Sequence, residues 1–318
     1  MWANNLPGTV ARKILFLDKS MKGNKTILLT GGAGFLGSHL LKALIAGQYE
    51  IILLLRNSSD TSRIDNIAGD IKRYYLETTD LKQMIMAEKV DIILHCATNY
   101  GRKDVSPISI LEANLILPLE LLQFGSENKV ACFINTDTIL DKRVNQYSLS
   151  KSQFKEWLKL YAPAIKCINI ALEHFYGPCD DETKFVTYII RSILRNVDKI
   201  DLTKGGQKRD FIYIDDVVEA FMRIIDYHSS ESSRQGFVHY EIGAGHSIEI
   251  RKFVELVKHI AENTCTHLNF GALPYRLNEA MDSRVDVSEL KKLGWEARIS
   301  LEEGIKRTIS VERSGGKI

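Results

Sequence analysis

From Thr26 onward, short apolar runs alternate with amphipathic stretches along the chain. Fully apolar strands separated by helices are typical of a parallel sheet that helices cover on both faces. Because such crossover connections are right-handed, the pattern predicts a doubly wound α/β fold. The predicted strands are Thr26–Thr30, Glu50–Leu55, Asp91–His95 and Ala131–Asn135, and the predicted helices are Ser38–Ala46, Leu81–Glu88 and Ile110–Ser126.

Beyond Pro178 the alternation loosens into helices and isolated strands, which predicts a smaller second domain interleaved with the first. We expect the sheet domain over residues 23–172 and the second domain over 173–318, with about 211–245 returning to the core of the sheet. Residues 1–22 form an N-terminal extension of unassigned role. Its short apolar run is followed by Asp18 and Lys19, which makes a poor signal peptide.

Composition narrows the class of protein without deciding its function. Hydrophobic residues make up 45% and charged residues 26% of the 318 residues, a balance typical of globular domains. Lys+Arg 42 against Asp+Glu 40 gives a net charge of +2, which argues against nucleic acid as a partner. No apolar run approaches the roughly 18 residues of a membrane helix, so we expect no membrane span. Five scattered cysteines without a C-x-x-C pair predict a cytoplasmic protein without a metal site.

A glycine-rich loop follows the first predicted strand directly. It reads Thr30-Gly31-Gly32-Ala33-Gly34-Phe35-Leu36-Gly37 and leads into a helix. Glycines at this spacing permit a tight turn and a close approach of backbone N–H groups to a pyrophosphate, at a helix N-terminus that favours anions. The strand–loop–helix context therefore predicts a dinucleotide site and, with it, a Rossmann sheet.

The end of the second strand bears on which dinucleotide binds. NAD sites place an acidic residue there for the ribose 2′-hydroxyl, whereas NADP sites place a cation near the 2′-phosphate. The sequence has Arg56-Asn57-Ser58-Ser59 at this point, without an acid. Arg56 can pair with the phosphate, so we expect NADP(H) to be preferred over NAD(H).

Tyr147 and Lys151 place a phenol and an ammonium four residues apart, on one face of a predicted helix. None of the other tyrosines among the 12 has a lysine four residues later. A phenol ordinarily titrates near pH 10 (roughly), and a nearby cation favours its ionised form. The pair can therefore exchange a proton with a sugar oxygen near neutral pH.

Taken together, these motifs resemble the extended short-chain dehydrogenase/reductase family of sugar-nucleotide epimerases, dehydratases and reductases. The resemblance runs from Thr26 almost to the C-terminus. It rests on TGGAGFLG, HCA at His95–Ala97, Asn114 in EANLILPLELL, Tyr147 with Lys151, GQKRDFIYIDDVVEA, and Asp286 with Leu293-Gly294-Trp295.

The resemblance implies roles for individual residues. Tyr147 and Lys151 would be catalytic, together with the hydroxyl of Thr136 or, as the alternative, Thr138. The expected cofactor-binding residues are Gly31, Gly34, Phe35, Leu36, Arg56, Glu77, Ala97, Asn114, Tyr147 and Lys151. The expected substrate-binding residues are Thr98, Tyr100, His174, Arg209 and Arg276. The resemblance also implies a homodimer.

Within the family, the chain looks most like the CDP-abequose and CDP-paratose synthase group, which are reductases of CDP-4-keto-3,6-dideoxyhexoses. The implied function is NADPH-dependent reduction of a 4-keto nucleotide sugar for surface polysaccharide (O-antigen) synthesis. Thr138 stands where the family's dehydratases carry glutamate, which argues against a 4,6-dehydratase. A nucleotide-sugar epimerase that retains NAD stays open, and so does a non-catalytic NADP-binding scaffold, which would have no need for a tuned phenol.

Overall fold

The computed structural model describes residues 25–67, 69, 71–102, 105–230, 235–276 and 278–315. The N-terminal extension expected over residues 1–22 lies outside the described residues. The strands are β1 (Thr26–Thr30), β2 (Glu50–Leu55), β3 (Lys72–Tyr75), β4 (Ile92–His95), β5 (Cys132–Thr138), β6 (Lys166–Leu172), β7 (His174–Tyr176), β8 (Lys199–Leu202), β9 (Lys208–Arg209), β10 (Phe211–Tyr213), β11 (Gly236–Ile242), β12 (Ile248–Glu249) and β13 (His267–Phe270). The helices are α1 (Phe35–Ala46), α2 (Leu81–Ala87), α3 (Pro107–Leu111), α4 (Leu117–Glu127), α5 (Gln146–Tyr161), α6 (Phe185–Leu194), α7 (Ile214–Ser230), α8 (Ile250–Ile260), α9 (Ser288–Lys292) and α10 (Leu301–Arg313), and a π-helical turn (Glu112–Ile116) joins α3 to α4.

Seven strands form the main sheet in the order β11-β6-β5-β4-β1-β2-β3. The pairs β1–β2, β1–β4, β2–β3 and β4–β5 are all parallel. The predicted doubly wound α/β sheet is therefore confirmed. The order of the strands reverses between β1 and β4, because β2 and β3 are added on one side of β1 and the later strands on the other. Ligands of such sheets bind outside the carboxyl ends of the strands at this point.

The edge strand β3 was missed by the hydrophobic pattern. Its sequence, Lys-Arg-Tyr-Tyr, carries no apolar run, and none of its four residues is fully buried. By contrast, all five residues of β1 are buried. An edge strand is covered less completely than a central strand, so the signal that revealed β1 is absent from β3.

The chain divides into two compact units. The described residues of the first unit fall within 1–136, 150–169 and 221–238, and those of the second fall within 137–149, 170–220 and 239–318. Within the first unit, apolar side chains from the sheet and from α2, α4 and α5 form a shared core, which includes Leu28, Ile93, Leu122, Phe133 and Phe154. The Phe133 and Phe154 rings meet edge to face with centroids 5.8 Å apart.

Buried carboxylates fasten loops within the second unit. Asp210 accepts hydrogen bonds from the backbone N–H groups of Ala244 and Gly245 at 2.7 and 2.8 Å. Asp216, in the first turn of α7, accepts from the backbone of Arg298 and Ile299 at 3.1 and 2.9 Å. Burial raises the pKa of both carboxyls. The RDF and DD motifs thus contribute anchors for distant segments of this unit.

The helical segment Pro107–Glu127 is long and apolar enough to cross a membrane by length and composition alone, with a mean hydropathy of 1.3. About a third of that stretch is buried (33%). Leu121 and Leu122 belong to the core of the first unit, whereas Ile108 and Ile116 are exposed. A core helix of a water-soluble fold satisfies the same criteria, so the segment is weak evidence for a membrane span.

A row of buried polar side chains crosses the carboxyl end of the sheet. Thr30, His95 and Asn135 are register partners on β1, β4 and β5. Thr30 Oγ1 lies 2.9 Å from His95 Nδ1, and Asn135 Nδ2 donates to Asn169 Oδ1 at 2.8 Å. His95 Nε2 and Asn135 Oδ1 have no hydrogen-bond partner among the described residues. Burial, reinforced by the nearby cation of Lys151, holds the pKa of His95 well below its usual value.

The neutral state of His95 predicts acid destabilisation of the fold. In the unfolded chain, His95 regains a pKa near 6.5 (roughly), so below that pH the unfolded state binds a proton that the folded state does not. Each pH unit below this point lowers the free energy of unfolding by about 1.4 kcal/mol until the folded pKa is reached. We expect chemical denaturation at pH 7.5 and pH 5.5 to show this loss.

The His95→Gln variant serves as the comparison, since it keeps a polar side chain at the position and cannot titrate. Its stability should fall less between pH 7.5 and pH 5.5 than that of the wild type. An identical pH dependence for the two proteins would contradict a neutral, buried His95.

Candidate active site

The loop between β1 and α1 has the geometry that a dinucleotide requires. Gly31 adopts φ +68°, and a Cβ there would lie 2.5 Å from the backbone N of Ala97. A Cβ on Gly37 would lie 2.1 Å from the carbonyl oxygen of Gly31. These two glycines are therefore needed for the turn and for close packing of α1 against the loop.

Gly34 is different, because protein packing alone does not require it. Its φ of −74° suits any residue, it is exposed, and a Cβ there would meet only Gly31 O, at 3.2 Å. It caps α1 without a side-chain hydrogen bond, and the buried Phe35 and Leu36 begin the helix behind it. A small residue at an uncapped helix N-terminus fits close approach by a phosphate group. The loop thus fits the pyrophosphate of a dinucleotide.

Glu77, which was predicted to bind the cofactor, contacts the carboxyl end of β2, a contact that the sequence did not predict. Arg56, the first residue after β2, is exposed, as expected for a residue that meets a ligand phosphate. However, both carboxylate oxygens of Glu77, from the loop after β3, accept from the backbone N–H of Asn57 at 3.1 and 3.0 Å. The premise that no acid is in reach of this position is therefore wrong. The contact joins residues that are 20 apart in the sequence and that follow two neighbouring strands, so local spacing does not reveal it.

The loop after β4 is held in place by Asn114, which lies in the π-helical turn. Asn114 Oδ1 accepts from the backbone N of Asn99 at 2.8 Å, and its Nδ2 donates to Asn99 O and Ser150 Oγ at 2.9 and 3.0 Å. Asn114 is fully buried, and its hydrogen bonds connect this loop to α5. Of the residues predicted on the loop, Ala97 and Thr98 are half-buried and Tyr100 is exposed, with the Arg102 guanidinium 5.0 Å from its ring centroid.

Lys151 follows Ser150 on α5, and its ammonium group is tied to the sheet. The side chain is 1% exposed, and Nζ donates to the backbone oxygen of Thr136 at 2.8 Å. The Thr136 hydroxyl donates to the backbone oxygen of His95 at 3.1 Å. The hydroxyl and the backbone oxygen of Thr136 therefore both make contacts within the protein. Its predicted role toward the substrate stays a prediction.

Thr138 and Tyr147 belong to segments of the second unit. Thr138 is half-buried and its Oγ1 accepts from the backbone N of Leu140 at 3.2 Å. The Thr138 hydroxyl donates no hydrogen bond among the described residues, whereas its backbone N–H donates to Asp137 Oδ1 at 2.8 Å. Tyr147 is half-buried in the first turn of α5. Because Tyr147 and Lys151 are one helical turn apart on α5, they share a helix face, as the spacing predicted.

His174 is oriented by a carboxylate that the sequence analysis overlooked. Glu173 is buried and its Oε1 lies 2.8 Å from His174 Nδ1 and accepts from Ser283 Oγ at 2.9 Å. An ionised carboxylate only accepts, so Nδ1 carries the hydrogen and Nε2 is left for another partner. Glu173 directly precedes His174 in the sequence LEHFYGP, and this adjacency could have indicated the contact.

The two arginines among the predicted substrate-binding residues differ in exposure; both were expected to bind the diphosphate, because a guanidinium group matches phosphate oxygens. Arg209 is 8% exposed, and its guanidinium forms an ion pair with Glu279 and donates to the backbone oxygens of Lys208 and Ala280, each at 2.7 Å. Diphosphate binding by Arg209 would require exchange with Glu279, and it remains a prediction. Arg276 is exposed. No group of three or more His, Cys, Asp or Glu side chains suited to a metal occurs among the described residues.

Residues 27–243 match the sequence profile of the NAD dependent epimerase/dehydratase family. The chain belongs to this family. It is 35% identical to the CDP-abequose synthase of Salmonella muenchen over 91% of this chain and 98% of that protein. It is 31% identical to the CDP-abequose synthase of Salmonella typhimurium over 89% and 97% of the two chains.

The fold has a close structural counterpart. The crystal structure of UDP-glucose 4-epimerase from Thermotoga maritima, with UDP-glucose, superimposes with a TM-score of 0.78 at 24% identity, covering 92% of this chain and 100% of that one. As an enzyme of the epimerase/dehydratase family, the protein is expected to hold its dinucleotide at the β1–α1 loop. The residues Gly31, Gly34 and Gly37 fit that cofactor.

Two glycine substitutions separate folding from cofactor binding. Gly37→Ala places a methyl group 2.1 Å from a backbone oxygen, and overpacking of this kind typically costs about 1–3 kcal/mol. Gly34→Ala meets only a contact of 3.2 Å on an exposed loop, so the melting temperature should change little. The added methyl group would nevertheless obstruct the pyrophosphate.

We therefore expect Gly34→Ala to lose dinucleotide affinity while it keeps wild-type thermal stability, and Gly37→Ala to lose both. Differential scanning fluorimetry and cofactor titration measure the two properties. Tight cofactor binding by Gly34→Ala would contradict the assignment of the loop.

Proposed function

We propose that the protein reduces the 4-keto group of a CDP-4-keto-3,6-dideoxyhexose, with NADPH as cofactor, in the synthesis of a surface polysaccharide (O-antigen) sugar. The observation that carries this proposal is the geometry of Lys151. Lys151 lies one helical turn after Tyr147 on α5, and its buried ammonium is fixed to β5 by the bond to Thr136 O. Similarity to CDP-abequose synthases over nearly the whole chain supports the substrate class.

The chemistry follows from the properties of these side chains. The bound nicotinamide cofactor supplies a hydride for carbon 4. Tyr147 donates its phenolic proton to the carbonyl oxygen, so the ketone becomes an alcohol and the tyrosine a phenolate. The Lys151 cation stabilises that phenolate until a proton is regained from solvent. A threonine hydroxyl at the end of β5, from Thr136 or Thr138, orients the carbonyl.

The second unit supplies the groups suited to the nucleotide diphosphate. Arg209, Arg276 and His174 can bond to phosphate oxygens, and Glu173 sets the orientation of the imidazole. Thr98 and Tyr100 on the loop after β4 are suited to the sugar. All five remain proposals for substrate contacts.

We further propose a homodimer. In this family, the resemblance assigns subunit pairing to the long helix that ends near Gly125 and to α5, which begins near Tyr147. In the first unit these helices expose four apolar side chains: Ile108, Ile116, Trp157 and Leu160. Leu160 is the most exposed of the four, at 67%. A second subunit would cover this surface.

A second candidate function is epimerisation by an enzyme that retains NAD. The carboxylate of Glu77 at the end of β2 is the observation that favours it, since an acid there suits the unphosphorylated ribose. Purification would then yield protein with bound NAD, and the protein would not consume added NADPH.

Substrate screening with the Tyr147→Phe variant tests the proposed reaction. Wild-type protein should oxidise NADPH when a CDP-4-keto-3,6-dideoxyhexose is supplied, and mass spectrometry should show a product heavier by two hydrogens. Tyr147→Phe removes only the proton donor, so turnover should fall by about 10²–10⁴-fold while NADPH binding persists.

Lys151→Met is the companion variant. It should lose turnover and also cofactor affinity, and it leaves the buried oxygen of Thr136 without its donor. The losses in turnover should not add in the double variant, because both residues serve one proton transfer. A Tyr147→Phe enzyme that reduces the ketone at the wild-type rate would contradict the assigned chemistry.

The cofactor preference has its own test at Arg56. A charge-assisted hydrogen bond contributes about 1.5–3 kcal/mol, so Arg56→Ala should weaken NADPH binding by roughly tenfold or more and change NADH binding little. Lys291→Ala removes an exposed cation of the second unit and is the control. Equal affinity of the wild type for NADPH and NADH, measured by fluorescence titration, would contradict the proposed preference.

A further inference from the structure

A basic and an acidic residue both lie at the end of β2. Arg56 and Asn57 are the first two residues after that strand, and the carboxylate of Glu77 bonds to the Asn57 N–H through both of its oxygens. The loop also closes on itself, because Ser59 N donates to Arg56 O at 2.9 Å and Arg56 N donates to Ser59 Oγ at 3.0 Å. The acid therefore sits against an ordered turn beside the arginine.

This turn is where a doubly wound sheet meets the adenosine ribose of a dinucleotide. A carboxylate at that place accepts a hydrogen bond from the 2′-hydroxyl, and it repels a 2′-phosphate. In most such sites the acid comes from β2 itself. Here Arg56, directly after β2, is the cation, and Glu77, in the loop after the neighbouring strand β3, is the anion.

We infer that Glu77 is a residue that determines cofactor specificity by opposing Arg56. Arg56 attracts the 2′-phosphate of NADPH, whereas Glu77 repels that phosphate and accepts from the 2′-hydroxyl of NADH. The inference rests on the proposed use of a nicotinamide cofactor and sharpens it: the protein binds both NADPH and NADH, and its preference for NADPH is smaller than Arg56 alone would produce.

The Glu77→Gln variant isolates the charge. Glutamine has the same length as glutamate and keeps an oxygen that can accept from Asn57 N–H, so the turn is preserved. Glu77 is exposed, and removal of one unit of repulsion at close range in a solvent-exposed site should raise the NADPH-to-NADH affinity ratio by roughly fivefold to tenfold. Added salt should reduce this difference, because exposed charges are screened.

The measurement is equilibrium titration of each cofactor against the full chain, without sugar substrate, with dissociation constants read from nicotinamide fluorescence or calorimetry. Asp65→Asn is the matched control. It removes the same charge from an exposed residue of the segment after the turn, and the Asp65 carboxylate has no hydrogen bond or ion pair among the described residues.

A higher affinity ratio in Glu77→Gln, with an unchanged ratio in Asp65→Asn, supports the inference. An unchanged or lower ratio in Glu77→Gln, or an equal rise in Asp65→Asn, overturns it. The wild-type ratio reports separately on the proposed function. A wild type that prefers NADH would contradict the NADPH preference, yet a rise in Glu77→Gln would still establish the role of Glu77.

Discussion

The bond between the Lys151 ammonium and the backbone oxygen of Thr136 is the contact on which the arrangement at the carboxyl end of the sheet depends. A fully buried cation is costly unless a polar partner is fixed close to it. Thr136 provides that partner from β5, and its hydroxyl bonds in turn to β4 through His95 O. Asn114 fixes α5 from the other side through Ser150. The position of the lysine is therefore set by three elements that are far apart in the sequence.

Patterns confined to one segment were sufficient to predict much of this arrangement. Buried strands such as β1 and β2 were predicted from their apolar runs, because a central parallel strand is covered on both faces. Gly31 and Gly37 were identifiable because turn geometry and helix packing permit no side chain there. The alignment of Tyr147 with Lys151 followed from helical periodicity alone.

Contacts between distant segments were beyond the reach of the same reasoning. Glu77 approaches the end of β2 only because β3 pairs with β2, and β3 itself carries no apolar signal. Glu279 reaches Arg209 from 70 residues away. The register that aligns Thr30, His95 and Asn135 is likewise a property of the folded sheet, and no local spacing encodes it.

The π-helical turn at Glu112–Ile116 also has a geometric effect on its own helix. An extra residue in one turn rotates everything beyond it by about 100° relative to an unbroken α-helix. The apolar faces of α3 and α4 are consequently out of phase, although the two helices are continuous along the chain. Deletion of a single residue within the turn would restore regular periodicity, but it would swing Asn114 away from Asn99 and Ser150. The irregularity in this helix is thus a phase shift at the residue that bonds to both Asn99 and Ser150.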